Sequence, residues 1–399
     1  MGWNWVQQIS QEHEVWLLTM DECRKDIERE LPKTVHATFL PSYRMWERLQ
    51  NMPIPGLEWI YYYWWQWKAY RKAVQLHAEA HFDLAHHITF ASWRAPSFIS
   101  LLPIPLVWGP VGGGGSIPRT LRGEIGRKGR IFEIVRDFCQ KFSRWDPFVR
   151  LTMARAAVIL AGNQETADLL PSTHQAKLQI MSLGGMSASE NSALELPATQ
   201  LNGFVILVAG LLVPRKAGSL ALKAFHRLTK QGVESTLVFA GKGPEGDRLA
   251  ALANELGISE HVRFLGGMTR NQVLGWMTVS DVLLFPSLRE SSPLVLLEAM
   301  MAETPIVCLD QGGPGEMVTP ECGIKVRVRN SNQVVQDLAA ALFRLVSDPA
   351  LCRSMGEAGR RRVLSIYDWS KRKERMLQIY EEVTRHQSTA QQMARAGTD

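Results

Sequence analysis

Glu290 and Glu298 stand with seven residues between them in the stretch Asp281-Val-Leu-Leu-Phe-Pro-Ser-Leu-Arg-Glu-Ser-Ser-Pro-Leu-Val-Leu-Leu-Glu-Ala-Met-Met301. Val282 to Phe285 is a short apolar run of the kind that is buried on both faces of a parallel sheet. From Leu294 the pattern predicts a helix, with Ser292 as its N-cap and Pro293 in the first helical position, where the missing N–H costs nothing. A strand, a polar loop and a helix start together make an anion site, because free N–H groups and the helix dipole face the ligand. Glu290 lies just ahead of that helix start, and Glu298 lies about 12 Å further on at roughly 1.5 Å per residue. One carboxylate is then near the phosphate end of a ligand and the other is set back from it. The plainer reading is two surface glutamates on an ordinary α/β unit.

Other stretches carry chemistry of the same kind. Leu106-Val-Trp-Gly-Pro-Val runs into four consecutive glycines, Gly112 to Gly115. Glycine permits close backbone approach and positive φ, as a ligand-facing loop needs; the alternative is a flexible turn. No Gly-Lys-Ser/Thr follows, so this is not a P-loop. Phe82-Asp-Leu-Ala-His-His-Ile-Thr89 reads as a strand leading into a loop. Strand alternation puts His86 and His87 on opposite faces. No third ligand has suitable spacing for a metal site, and no Asp-x-Asp pair is present, so no metal is expected. Phe204 to Gly210 is an apolar strand entering a turn that carries Arg215 and Lys216. Thr236 to Gly243 is a strand with a Gly241-Lys-Gly243 turn.

These residues need elements to hold them. At 399 residues two domains are the default expectation. The apolar fraction of 46% and charged fraction of 21% are ordinary globular values. Five scattered cysteines without a CxxC read as reduced thiols of a cytoplasmic protein. No run reaches 18 apolar residues, and no charged-then-apolar signal opens the chain, so neither a membrane span nor export is expected. Strand, helix and strand alternate through the second half, as a parallel doubly wound sheet requires. The expected division is a first Rossmann-like domain over 1–183, a linker over 184–202, a second such domain over 203–366, and a returning helix with a frayed tail over 367–399.

The first half opens with a helical Gly-Trp-Asn-Trp segment, and Glu14 to Thr19 follows as a strand. A Rossmann-like domain normally begins with a strand and a glycine turn ahead of its first helix. Here neither precedes it: either the chain starts late or another element fills the gap. Trp59 to Trp67 holds seven aromatics in nine residues. They cover more than one helical face, so they serve either packing within the domain or contact with a lipid-linked acceptor or membrane. Between Arg119 and Arg155 ten basic residues face four acidic ones, interleaved with Ile131, Phe132, Ile134, Val135, Phe138 and Phe142. Such an amphipathic helix either lies on an anionic membrane or packs on the sheet. Nucleic-acid binding is not expected, since no recognised module accompanies the charge.

The paired glutamates after an apolar strand resemble the donor-site signature of retaining family 4 glycosyltransferases, and the Trp-Gly-Pro-Val-Gly-Gly-Gly loop resembles a bacterial polysaccharide-synthesis subgroup of it. The resemblance implies a GT-B fold: two Rossmann-like doubly wound domains facing a cleft. It implies a metal-independent hexosyltransferase that moves a sugar from a UDP- or GDP-sugar, with retention, to a saccharide or lipid-linked acceptor at the inner face of the membrane. It places Glu290 and His87 by the donor sugar and Glu298 on the ribose. It places the amides of Leu294 and Val295 on the diphosphate, with Lys216 as the clamp and Arg215 beside it. Gly210, Gly241 and Gly243 border the nucleotide, and Gly112 and Gly113 face the cleft on the acceptor side. Val262 to Gly266 lies by the base. Leu211 falls where the family has an arginine, and Ser292 and Pro293 fall where it has an aromatic and a glycine. The rival expectation is a disabled transferase serving as a binding or scaffold protein in a polysaccharide assembly complex.

Overall fold

The computed structural model describes residues 2–41, 57–88, 90, 92–187, 194–197, 201 and 203–396. Much of the expected linker, 188–193, 198–200 and 202, and Thr89 of the His86–His87 segment lie outside them.

Among the described residues, six strands belong to the first half: β1 (Val15–Met20), β2 (Val35–Leu40), β3 (Ala85–His87), β4 (Leu106–Val111), β5 (Ala156–Ala161) and β6 (Leu178–Ile180). β1 and β2 form a two-stranded parallel sheet, and β3-β4-β5-β6 form a separate parallel sheet of four. Six more belong to the second half: β7 (Phe204–Ala209), β8 (Ser235–Ala240), β9 (Val262–Gly266), β10 (Val282–Phe285), β11 (Ile306–Leu309) and β12 (Gly323–Val326). They pair in the order β12-β11-β10-β7-β8-β9, all parallel. The order reverses between β7 and β10. In an open parallel sheet, ligands bind beyond the carboxyl ends of the strands at such a switch point.

The apolar runs of the second half dictate this sheet. Val282 to Phe285 is buried throughout, and alternate residues enter opposite cores. Ile206, Leu284 and Val307 meet Leu220, Phe225, Leu338 and Leu342 on one face. Leu207, Leu283 and Cys308 meet Met277, Leu296, Leu297 and Met300 on the other. Helices cover both faces, so a strand with a polar alternate residue would bury it unpaired at roughly 1–3 kcal/mol.

The Trp369–Ala396 helix crosses back to the first half. Trp369, Met376, Ile379, Tyr380 and Val383 pack with Trp5, Val107, Val158 and Leu160. Trp5 and Trp369 meet edge to face at 5.2 Å. The helix is described as far as Ala396.

Part of the aromatic cluster packs within the domain. Tyr62 and Trp65 are buried, and the Tyr62 hydroxyl donates to the Pro96 carbonyl at 2.7 Å. Trp64 and Trp67 are exposed. The basic Gly126–Ser143 helix is turned the opposite way from a helix packed on a sheet. Its Glu133 and Gln140 are buried, whereas Ile131, Phe132, Phe138 and Phe142 are more than half exposed. Tertiary contacts, described below, explain the inversion.

Candidate active site

The turn after β7 and the loop after β10 meet at the switch point. Lys216 Nζ lies 2.7 Å from Glu290 Oε1, and the Arg215 guanidinium pairs with the same oxygen. Ser287 Oγ donates to that oxygen at 3.1 Å. Lys216 also sits 4.6 Å from the centre of the Phe285 ring. Burial pushes the Lys216 amine down, and the Glu290 carboxylate opposes that shift. Two cations, a carboxylate and a hydroxyl therefore gather at one point, and the two cations are held on the carboxylate. The cavity beside Gly210, Leu211, Lys216 and Ser287 is only about 20 Å³.

Gly210 turns the chain out of β7 and leaves open space at its Cβ position, with Lys216 Cε 3.9 Å away. Gly241 has a different task. A Cβ there would stand 1.9 Å from the Gly210 carbonyl oxygen, so only glycine lets the two turns touch. At Gly243 a Cβ would stand 2.3 Å from the Leu212 carbonyl oxygen, and Leu212 N donates to Lys242 O at 3.0 Å. The turn after β8 thus props the turn that carries Lys216. Leu211 projects from it, 58% exposed.

The helix after β10 runs Leu294–Met301 and is capped differently from expectation. Pro293 occupies the N-cap position and offers no side-chain cap. Ser292 is drawn away: its hydroxyl donates to Gly162 O and accepts from Leu183 N, both at 3.3 Å. Tertiary partners win over the local cap, and the amides of Leu294 and Val295 remain among the helix-start donors that find no carbonyl within the helix. Glu298, one face along, pairs with Arg270 at 2.7 Å.

The glycine loop closes on this region from the first half. Gly113 N donates to Ser291 Oγ at 3.1 Å. Arg136 and Gln140 donate to the Gly113 carbonyl at 2.7 and 2.6 Å. A Cβ at Gly114 would meet Thr166 Cα at 2.5 Å, so the loop lies flat on the neighbouring turn. Gly112 bridges to Ser92. Arg289 donates to both oxygens of Glu133 at 2.6 and 2.7 Å. These partners, Arg136, Gln140 and Glu133, are the polar face of the Gly126–Ser143 helix, which is why its apolar face is left outside.

The histidines have partners of their own. His87 Nδ1 is 2.7 Å from Ser97 Oγ. His86 bridges Tyr380 OH at 2.5 Å and Gly109 O at 2.7 Å. Burial lowers the His86 pKa from 6.5 to about 4. Below pH 6.5 the unfolded chain therefore takes a proton that the folded one refuses. Stability is expected to rise with pH from about 4 to 6.5 and to be flat above, by at most about 3 kcal/mol from this group. Urea unfolding across that range, compared with His86→Gln, checks it; an unchanged slope in the variant would count against His86.

Structure thus gathers Lys216, Arg215 and Glu290, sets the Leu294 helix start and Glu298 on the same helix, and brings Gly113 to Ser291. Ser287, Arg289 and Ser291 were missed by sequence reasoning although they flank Glu290; hydroxyl and guanidinium groups beside a candidate carboxylate were the available signal. Arg270 and Glu133 had none. Among the described residues no group of three or more His, Cys, Asp or Glu is placed to hold a metal ion.

The architecture, two Rossmann-like α/β domains with parallel sheets, is the GT-B fold. A glycosyltransferase structure from Rickettsia africae superposes with a TM-score of 0.65 at 12% identity, over 95% of this chain and 94% of that one. The Anabaena protein HepE, solved in complex with UDP, does so at 0.61 and 16% identity, over 92% and 100%. Residues 194–362 match the family Glycosyl transferases group 1. Over 176 residues the chain is 31% identical to a glycogen synthase of Mycobacterium tuberculosis, covering 44% of this chain and 42% of that one. Over 180 residues it is 33% identical to an MMP alpha-(1->4)-mannosyltransferase of Mycolicibacterium hassiacum, again 44% and 42%. These matches span less than half the length of the curated relatives.

Proposed function

We propose that the chain is a glycosyltransferase that moves a sugar from a nucleoside-diphosphate sugar to an acceptor hydroxyl, with retention and without a metal. The observation that carries this is the pair of cations, Lys216 and Arg215, held at the switch point beside a helix start and a carboxylate. The matched family and the nucleotide-bound GT-B relatives support it. We take 1–183 as the acceptor side, 184–202 as the linker, 203–366 as the donor side and 367–399 as the returning helix and tail.

In this reading the diphosphate displaces Glu290 from Lys216 and Arg215 and rests on the amides of Leu294 and Val295. The bond from the sugar's anomeric carbon to the diphosphate oxygen breaks, and the diphosphate keeps the electron pair. Fixed positive charge stabilises it without reorganisation. The acceptor oxygen attacks from the face just vacated, and its proton passes to the departing phosphate. Glu290, freed from the cations, positions the sugar with His87. Glu298 leaves Arg270 for the ribose. Gly210, Gly241 and Gly243 shape the nucleotide's floor, and Gly112 and Gly113 border the acceptor.

Calorimetric titration with UDP and GDP tests this. One of the two is expected to bind at micromolar strength, and Glu298→Ala to weaken it by about tenfold or more, as for a charge-assisted pair. Binding of neither would sink the reading. It would favour the second one, a scaffold built on a disabled transferase, for which exposed Leu211 in the arginine position is the specific observation.

The acceptor is a saccharide or a lipid-linked acceptor, met at the inner face of a membrane. No described helix is long and apolar enough to cross a membrane. The outward apolar face of the Gly126–Ser143 helix, with its basic residues, suits shallow insertion into an anionic surface. Vesicles containing anionic phospholipid are expected to sediment the protein, and Phe138→Ser with Phe142→Ser to release it. Equal sedimentation of both proteins would remove this contact.

A further inference from the structure

The Trp369–Ala396 helix begins with Trp369-Ser-Lys-Arg-Lys-Glu-Arg375, and its first turn holds no acidic residue. A helix start favours an anion and opposes a cation. Asp368, just ahead of it, bonds to the amide and hydroxyl of Ser370. Lys371 Nζ lies 3.3 Å from Glu374, and Arg375 lies 3.6 Å from Glu382, both at exposed positions.

Arg372 differs from its neighbours. It is 6% exposed, its guanidinium donates to the Ser182 carbonyl, and it lies 5.3 Å from the centre of a Trp5 ring. Its Nε has no acceptor, and no carboxylate opposes its charge, among the described residues. Burial lowers its pKa from 12.5 to about 10, and only Tyr367 acts against the shift. Arg136 and Arg289, by contrast, share Glu133. Buried charges are normally paired, so Arg372 is an exception with a cost.

A cavity of about 300 Å³ adjoins it, enough for a small ligand. Lys371, Arg372 and Arg375 border this cavity from the returning helix, and Ser182 borders it from the segment after β6. Ser291 and Glu316 border it from the second half. Ser182 Oγ is a further buried polar atom without a partner. Glu316 accepts from Gln164 N at 2.7 Å, and burial pushes its pKa up. Three cations against that one carboxylate leave two positive charges around the space. No residue of this wall borders the small cavity at Lys216.

We propose that this cavity is a second anion site, which takes a phosphate group, free or carried on a small sugar. A dianionic phosphate matches the two excess charges. Its oxygens accept from the Arg372 guanidinium, the Lys371 ammonium and the Ser182 hydroxyl together, as no single protein carboxylate there does. The ligand touches both halves, since Ser182 belongs to the first and Ser291 to the second. The inference concerns binding, and it stands whether or not the chain transfers sugar.

The test follows the unfolding temperature and the heat of binding of the full chain with orthophosphate, glucose 6-phosphate and glucose, at an ionic strength matched with chloride. Orthophosphate or glucose 6-phosphate is expected to bind and to raise the unfolding temperature, and glucose to do neither. Arg372→Met is expected to abolish that binding. Lys371→Gln with Arg375→Gln changes exposed positions only, so it keeps the test open if Arg372→Met does not fold; it is expected to weaken binding by at least about tenfold. Glucose 6-phosphate binding tenfold more tightly than orthophosphate would support a sugar phosphate as the ligand, and equal binding would support free phosphate. Binding of neither would overturn the proposal. So would equal binding by the Lys371, Arg375 variant and the unaltered chain. Binding that Lys216→Ala removes and that variant retains would also overturn it, by assigning the phosphate to the donor site.

Discussion

Lys216→Ala is expected to lower sugar transfer by about a hundred- to a thousandfold, the usual cost of removing one group that meets charge developing in the transition state. Lys216 is the cation best placed for that task. It is largely buried, its ammonium is 2.7 Å from Glu290, and the turn that carries it is propped by Gly241 and Gly243. A buried cation acts through a lower effective dielectric than Arg215, which is more open to solvent. Because burial pushes its pKa down, transfer should also fall on the alkaline side at a lower pH than a free lysine would give. The measurement is product formation at saturating donor over a pH series. Lys216→Arg should retain part of the rate, since the charge survives. A Lys216→Ala enzyme with unaltered turnover would remove the clamp from the mechanism.

Glu290→Gln is expected to split binding from chemistry. The Glu290 carboxylate holds Arg215, Lys216 and Ser287. A diphosphate must replace it on both cations, so its affinity is reduced by whatever that pairing contributes. Removing the carboxylate's charge releases them, and the nucleoside diphosphate should bind several-fold to tenfold more tightly, as loss of one charge-assisted contact on the competing side allows. Transfer should fall about a hundredfold because the sugar loses its positioning group. Calorimetry with UDP and GDP, beside turnover, reads both. If affinity and rate fall together, Glu290 instead maintains the loop, and its pairing with Lys216 is a structural support for the turn after β7.

The two variants bear on one feature of the molecule. The cavity at Gly210 and Lys216 is small, and the two halves are tied by Arg289 to Glu133, Gly113 to Ser291, and Glu124 to Lys223 and Ser331. These charged and polar pairs join the first half to the loop that carries Glu290 and to the second half around it.

Much of this was readable from the chain. Val282 to Phe285, Phe204 to Ala209 and Leu106 to Val111 are apolar runs ended by glycine or proline, and each is a strand. Their period and their punctuation act over a few residues, so local physics suffices. The Leu294 helix was legible for the same reason, but its cap was not. Ser292 has the chemistry of an N-cap, and only the nearness of Gly162 and Leu183, more than a hundred residues away in sequence, explains why it bonds elsewhere. The Gly126–Ser143 helix was legible as amphipathic, but not which face would turn inward.

The sequence alone determined the alternation of strands and helices, the glycine turns and the positions of the candidate carboxylates, since each depends on neighbours along the chain. Tertiary structure alone decided which charges meet. Arg215 and Glu290 are 75 residues apart, and Arg289 and Glu133 are 156 apart. Arg215 and Glu290 meet because parallel strands β7 and β10 return by crossovers that bring their carboxyl ends to one edge, whereas Arg289 and Glu133 meet because a first-half helix packs on the loop after β10. No spacing along the chain encodes that return or that packing.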